Sequence, residues 1–217
     1  MAAQRSNPLA RVVDALQGRG RYSFTREEVA EEVTRSLSGL DQALWRLRDK
    51  GRLVSPRRGL YVIVPAEYGS AGAPPATWFI DDLMRFLDQP YYVALLSAAS
   101  LHGAAHQQPM LFQVMTDRPT RPARAGRVRI SFHMSRSVEE TPVTKVQTET
   151  GHIPVSTPEV TALDLVRFHA ASGHMGNVAT VISELAEDLD AKRLAEACAL
   201  YATPVVQRLG FLLDELG

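Results

Sequence analysis

The chain has 217 residues with 24 Lys+Arg against 24 Asp+Glu, and a formal charge of zero argues against a nucleic-acid binder, which needs surplus cations at phosphates. Its 45% hydrophobic and 22% charged content supports a sizeable core and excludes a disordered chain; one cysteine, Cys198, excludes an internal disulfide framework and fits a reducing cytosol. The neutrality is a cancellation, however. Residues 1–66 hold 12 Lys+Arg and 7 Asp+Glu, a balance of +5, and residues 67–217 hold 12 and 17, a balance of −5, which points to two parts with different tasks.

Leu9, Val12, Val13 and Leu16 recur at helical spacing and predict a first helix over 8–16. Thr25-Arg26-Glu27-Glu28 and Ser38-Gly39-Leu40-Asp41 each set a hydroxyl three residues before an acid, the capping-box pattern. They open two more helices, one running to about Thr34 and the other to Lys50, with Gly51 as its stop and the turn Arg35-Ser36-Leu37 between them. Residues 52–54 and 60–64 then read as a hairpin turning through Ser55-Pro56-Arg57-Arg58-Gly59. Three helices and a hairpin with two arginines at its tip predict a winged helix-turn-helix over 1–66, whose third helix enters the DNA major groove.

At roughly 100° per residue, Leu40, Ala43, Leu44 and Leu47 face inward on that third helix. Gln42, Arg46 and Asp49 fall opposite, with Asp41 and Trp45 on one flank. Gln bonds adenine and Arg bonds guanine in the major groove, so Gln42 and Arg46 are the candidate base readers. Ser38 at the helix start suits a phosphate, and Arg35, Arg57 and Arg58 suit the backbone or the minor groove. Asp41 is expected to complete its cap. Two readings of Trp45 stay open: stacking on sugar–phosphate, or packing under the wing or against the second domain. The Arg57-Arg58-Gly59 tip also suits a protein partner, and it is the combination of features that favours DNA.

The stretch 67–77, with Gly69, Gly72, Pro74 and Pro75, reads as a linker to a second domain over 78–217. Helical patterns there cover 78–87 and 91–101, strands 111–115, 128–133 and 143–147, and further helices open at Ser156-Thr157-Pro158-Glu159 and over 176–185, 191–201 and 204–216. The fold class is therefore α+β: a winged helix-turn-helix, then an α+β C-terminal domain with a helical end. The charge-free window 89–116 is broken by His102-Gly103 and by His106-Gln107-Gln108-Pro109, so it reads as buried core and not a membrane span. No secretory signal follows Met1, and a cytoplasmic location is expected.

Catalytic signatures are scarce, and no catalytic residue, metal or cofactor is expected. His102 and His106 are four apart, but Gly103 disfavours a helix there and no third ligand is close in sequence. Ser97 or Ser100 with His102 lacks a third group, Cys198 reads as core, and Asp81-Asp82 reads as a helix first turn. One feature opposes the domain's net charge: Arg118, Arg121, Arg124, Arg127 and Arg129 lie within twelve residues, with only Asp117 beside them. They read either as a solvated loop guarding an edge strand or as a candidate second polyanion contact.

Four segments in order carry a family resemblance. They are Leu44-Trp45-Arg46-Leu47 through Arg58-Gly59-Leu60-Tyr61; Tyr91-Tyr92-Val93-Ala94-Leu95-Leu96-Ser97-Ala98 with Leu101-His102-Gly103; Val155-Ser156-Thr157-Pro158-Glu159 with Leu163-Asp164-Leu165; and Gln207-Arg208-Leu209-Gly210-Phe211-Leu212-Leu213-Asp214. With these the chain resembles the AbiEi-family antitoxins, the transcriptional-regulator half of type IV toxin–antitoxin systems, over nearly its whole length. The resemblance implies a non-enzymatic autorepressor that binds double-stranded operator DNA at inverted repeats. It further implies opposition to a nucleotidyltransferase-like toxin without a stable complex, and structural rather than catalytic roles for the Ser97/His102 and Arg208/Gly210 segments. The alternatives are a solitary winged-helix regulator, or a protein-interaction module without a toxin partner.

Overall fold

The computed structural model describes residues 8–32, 37–104 and 111–216. The chain divides into two compact units. One takes the residues up to Asp88 together with Ala123–Arg129 and Gln147–Gly151, and the other takes Gln89–Pro122, Ile130–Val146 and the residues from His152 onward.

The first unit opens with helix α1 (Pro8–Gly18), which buries Leu9 and Val13. Strand β1 (Ser23–Thr25) leads straight into α2 (Arg26–Glu32). Their junction is the predicted capping box: the Glu28 N–H donates to Thr25 Oγ1 at 3.2 Å and the Thr25 N–H donates to Glu28 Oε2 at 2.7 Å. Helix α3 (Leu37–Asp49) closes as predicted at Gly51 (φ +68), where the Arg52 N–H reaches the Leu47 carbonyl and the Gly51 N–H reaches that of Arg48, each at 2.9 Å. Strands β2 (Leu53–Arg57) and β3 (Leu60–Ile63) form the hairpin. Its turn is tighter than expected, because Arg57 already pairs with Leu60 and a bulge between Val54 and Arg57 absorbs Pro56. β3 lies between β1 and β2 in a three-stranded antiparallel sheet. Leu9, Val13, Phe24, Val29, Leu40, Leu44, Leu47, Leu53 and Ile63 form the common core.

This unit does not stop at residue 66. The stretch expected as a linker coils into 3-10 turns at Ala66–Tyr68 and Ala76–Trp78, with Ala73 and Ala76 buried. The Trp78 ring lies 4.6 Å from that of Tyr22 and 5.3 Å from that of Tyr68. Helix α4 (Ile80–Phe86) follows, and its Asp82 accepts a hydrogen bond from Ser23 of β1. Small residues and prolines here serve close packing, which composition does not distinguish from flexibility.

The second unit begins with β4 (Tyr91–Val93) and α5 (Leu95–Leu101), where one helix over 91–101 was expected. Leu95 at φ +55 breaks the run, and a fully buried apolar stretch has no periodicity to separate strand from helix. Then come β5 (Phe112–Thr116), β6 (Ala123–Ala125, within the first unit), β7 (Val128–Met134), β8 (Val143–Thr148) and β9 (Gly151–Ser156). The sheet order is β6-β7-β5-β4-β9-β8, with β4 antiparallel to β5 but parallel to β9, and β5 parallel to β7. Helices α6 (Pro158–Arg167), α7 (His174–Leu185), α8 (Ala191–Cys198) and α9 (Thr203–Leu216) complete the chain. α6 is their hub: Val160, Leu163 and Val166 pack with Leu95, Met115, Ile182 and Leu209 in one core. The architecture is α+β with a helical C-terminal end, as predicted. Strands β1, β4, β6 and β9 were not foreseen.

Candidate nucleic-acid interface

The outward face of α3 follows from its inward one. Leu40, Leu44 and Leu47 are buried, so Gln42, Trp45, Arg46 and Asp49, at steps of three and four, stand on the exposed side. Trp45 is 64% exposed, which removes the reading in which it packs under the wing. Among the described residues the Arg46 side chain has no hydrogen-bond or ion-pair partner, and the same holds for Arg48 and Lys50, two exposed cations that sequence reasoning passed over. Asp41 does not complete a cap, because α3 already begins at Leu37. Its carboxylate instead accepts from Arg26 at 3.0 Å, so this acid is paired within the unit, while Asp49 stands exposed on the outward side. Ser38 lies in the first turn of α3, its side chain outside what is described, and Arg35 lies outside the described residues.

The hairpin tip separates its two arginines. Arg57 is half-buried and donates to the Pro56 carbonyl at 3.2 Å, whereas Arg58 is exposed, with no side-chain partner among the described residues. Beside β2, in the same unit, packs β6. Its link to β7 is locked down by backbone: the Arg127 N–H donates to the Ala71 carbonyl at 2.8 Å, and a Cβ on Gly126 would stand 2.4 Å from that oxygen. The five-arginine cluster therefore divides. Arg124, Arg127 and Arg129 are exposed in the first unit, whereas Arg118 and Arg121 fall in the second, with Asp117 3.7 Å from Arg118. Arg124 donates to the Gly126 carbonyl at 2.8 Å, which fixes its guanidinium base against its own turn.

Charge follows this division. The first unit holds 16 Lys+Arg and 12 Asp+Glu, a balance of +4, and without the arginine hairpin it would hold 13 and 12. The second unit holds 8 and 12, a balance of −4. Asp81 and Asp82, the acids of α4, both pair with Arg85.

Residues 92–215 match the AbiEi antitoxin C-terminal domain family, more than half of the chain. The chain belongs to the AbiEi antitoxin family. Its role is thereby that of an antitoxin of a toxin–antitoxin family, and the AbiEi antitoxins are regulatory rather than catalytic. A crystal structure of the RV2827C protein from Mycobacterium tuberculosis is similar in fold, with a TM-score of 0.71 at 21% identity over 96% of this chain and 76% of that one. No curated protein matches the chain. No described helix is long and apolar enough to cross a membrane.

The motifs of this AbiEi domain are structural. Thr157 caps α6 by accepting from the Val160 N–H, and Ser156 and Thr161 share a 2.6 Å hydroxyl contact. Glu159, 1% exposed, accepts from the Asp190 N–H at 3.1 Å and forms an ion pair with Arg193 at 3.1 Å, and so ties the start of α8 to α6. Asp164 accepts from Tyr92 at 3.0 Å and from Tyr201 at 2.9 Å. Ser97 and His102 make no pair. Ser97 Oγ accepts from the Gln113 N–H at 2.9 Å, and His102 Nε2 lies 2.7 Å from the Ser156 carbonyl. His106 lies outside the described residues. Among the described residues no cluster of His, Cys, Asp and Glu is arranged to hold a metal ion. Cys198 is half-buried in the helical core, where burial raises its thiol pKa and suppresses the thiolate.

Proposed function

We propose that this AbiEi-family chain is the antitoxin and DNA-binding autorepressor of a type IV toxin–antitoxin system. Its first unit acts as a winged helix-turn-helix on double-stranded operator DNA with inverted repeats. Its second unit counteracts a nucleotidyltransferase-like toxin without a stable complex. The observation that carries the DNA reading is the exposed row Gln42–Trp45–Arg46 on α3, with cations free of internal partners beside it. Three helices and the β1-β3-β2 sheet give this row the support of a groove-reading helix.

In this reading Arg46 and Gln42 contact base edges, and Trp45 lies against sugar and phosphate. Arg35, Ser38, Arg57 and Arg58 hold the backbone. Arg124, Arg127 and Arg129 extend that contact from the β6–β7 hairpin, while Arg118 and Arg121 remain a separate candidate polyanion contact on the second unit. Mobility shift on the DNA upstream of the gene tests it. Arg46→Ala is expected to weaken operator binding by about 1–3 kcal/mol and to relax sequence preference at one base pair. Unchanged affinity and preference in that variant would remove Arg46 as a base reader.

One observation favours a second reading. An indole 64% exposed on a helix face is also what a protein interface uses as an anchor. A wild-type chain that shifts no DNA, yet loses a co-purifying partner on Trp45→Ala, would establish that reading. A chain that binds its operator with no toxin gene beside its own would be a solitary regulator.

A further inference from the structure

Within the second unit a cleft of about 590 Å³ opens between the end of β7 and the C-terminal end of α6. Ser135, Arg136 and Ser137 form one wall and Arg167 the other, with Glu140, Met134 and Leu200 at the margin. We propose that this cleft binds the phosphate of a small phosphomonoester, a ligand of nucleotide size, through Arg136, Arg167 and the two serine hydroxyls.

Arg167 is held by a ring and a hydroxyl group, not by a carboxylate. Its natural partner would be Asp164, one helical turn earlier. Asp164, however, is fully buried and takes both its hydrogen bonds from tyrosine hydroxyls. The guanidinium is left to stack over the Phe168 ring at 5.0 Å and to donate to Ser135 Oγ at 3.3 Å, with no carboxylate within ion-pair distance among the described residues. It is fixed in place without a direct ion pair, and the buried Asp164 acts on it only through space. Arg136, exposed across the cleft, has no side-chain partner among the described residues.

The serine wall is equally fixed. Ser135 and Ser137 oxygens lie 3.1 Å apart, the Thr141 hydroxyl donates to the Ser137 carbonyl at 2.6 Å, and the Ser135 N–H donates to the Thr116 carbonyl at 3.0 Å. Val138 anchors the same turn in the core. Two guanidinium groups and two hydroxyl groups on a rigid frame match the charge and hydrogen-bond demand of a phosphate dianion. Met134, 40% exposed, and Leu200 add an apolar margin for the body of the ligand, and the volume lies in the range of small-molecule sites. Glu140 is the one opposing charge in the lining, and it supplies a test of sign.

The experiment is a ¹H–¹⁵N titration of the full chain with inorganic phosphate, phenyl phosphate and dimethyl phosphate, each against sodium chloride at equal ionic strength. Saturable shifts confined to 134–140, 167–168 and 200 are expected, with phenyl phosphate tighter than phosphate and dimethyl phosphate, a monoanionic diester, weakest. Arg136→Met and Arg167→Met should each weaken phosphate binding by about tenfold or more. Glu140→Gln, an exposed change that leaves the fold alone, should tighten it. Shifts no larger than those from chloride, or binding indifferent to both arginine changes, would overturn the site. Equal affinity for dimethyl phosphate would overturn the monoester, and phenyl phosphate no tighter than phosphate would remove Met134 and Leu200 from the ligand contact. None of these outcomes depends on DNA binding.

Discussion

Asp164 is a carboxyl group with no exposure, and burial pushes its pKa up to about 6, although Tyr201, Tyr92 and the charge of Arg167 all pull it down. Burial raises both tyrosine hydroxyl pKa values as well, so they remain donors at any physiological pH. A carboxyl whose folded pKa lies above its ordinary value of 3.8 binds a proton more readily folded than unfolded. Its contribution therefore favours the fold at low pH and is lost as pH rises through about 6. The whole shift amounts to roughly 3 kcal/mol, most of it lost between pH 4 and pH 7. Asp164→Asn should remove that slope: the difference in urea midpoint between wild type and variant should drift in the variant's favour as pH rises. Parallel midpoints across this window would show that Asp164 is ionised throughout. The opposite case sits in the capping box. Burial works against the Glu28 carboxylate, but hydrogen bonds from Arg21 and from the Thr25 N–H outweigh it and hold the group below its usual range, so its support is present at neutral pH and fades in acid.

At the scale of elements, the β6–β7 hairpin shows what a single backbone position controls. Gly126 has φ +55, and a Cβ there would meet the Ala71 carbonyl oxygen at 2.4 Å and Gly72 backbone atoms at 2.5 and 2.6 Å. Backbone cannot move aside as a flexible side chain does, so Gly126→Ala should cost at least about 2 kcal/mol through conformational strain and clash. Gly210 in α9 has open space around it and ordinary helical φ, and Gly210→Ala should stabilise by about 0.5–1 kcal/mol. Denaturant unfolding followed by the fluorescence of Trp78, whose ring touches Tyr68 near this contact, in a Trp45→Phe background, reads the first; global unfolding by circular dichroism reads the second. Equal tolerance of both alanines would contradict the docking of the hairpin. These elements also mark what was legible in the chain. The capping box at Thr25, the stop at Gly51, the inward leucines of α3 and the cap at Thr157 are local, and local pattern reveals them. Strands β1 and β4 owe their pairing to residues far away in sequence, β9 pairs with distant β4 as well as adjacent β8, and β1, β4 and β6 are only three residues long, too short to show alternation. Ser38-Gly39-Leu40-Asp41 misled for the same reason, since Arg26, fifteen residues away from Asp41, claims the acid. The Arg136–Arg167 cleft had no signal at all, because its walls come from separate segments.

Charge belongs to the whole molecule, and there the structure redraws the boundary that sequence suggested. A cut after residue 66 places +5 against −5, while the compact units hold +4 against −4, and the difference between a nearly neutral first unit and a cationic one is the arginine hairpin. That hairpin is inserted from the middle of the chain into the unit that carries α3, which gives a chain of zero net charge a cationic unit around the helix proposed to read DNA. Counterion release makes the reading quantitative: each neutralised phosphate adds about 0.9 to the salt slope of binding. Replacing Arg57 and Arg58 with alanine should lower the slope by up to about two, with the larger part from Arg58 because Arg57 is tied to Pro56. Replacing Arg124, Arg127 and Arg129 should lower it by up to about three, and both sets should weaken specific and nonspecific DNA alike. The Arg118/Arg121 pair, in the other unit and with Asp117 beside Arg118, is the comparison and should change the slope less. Fluorescence anisotropy over a range of potassium chloride concentrations measures all four chains on one operator. A wild-type slope near zero would end the DNA reading altogether, whereas a wild-type slope retained in the hairpin variant would confine DNA contact to α3 and the wing and return Arg124, Arg127 and Arg129 to the role of solvated guards on an edge strand.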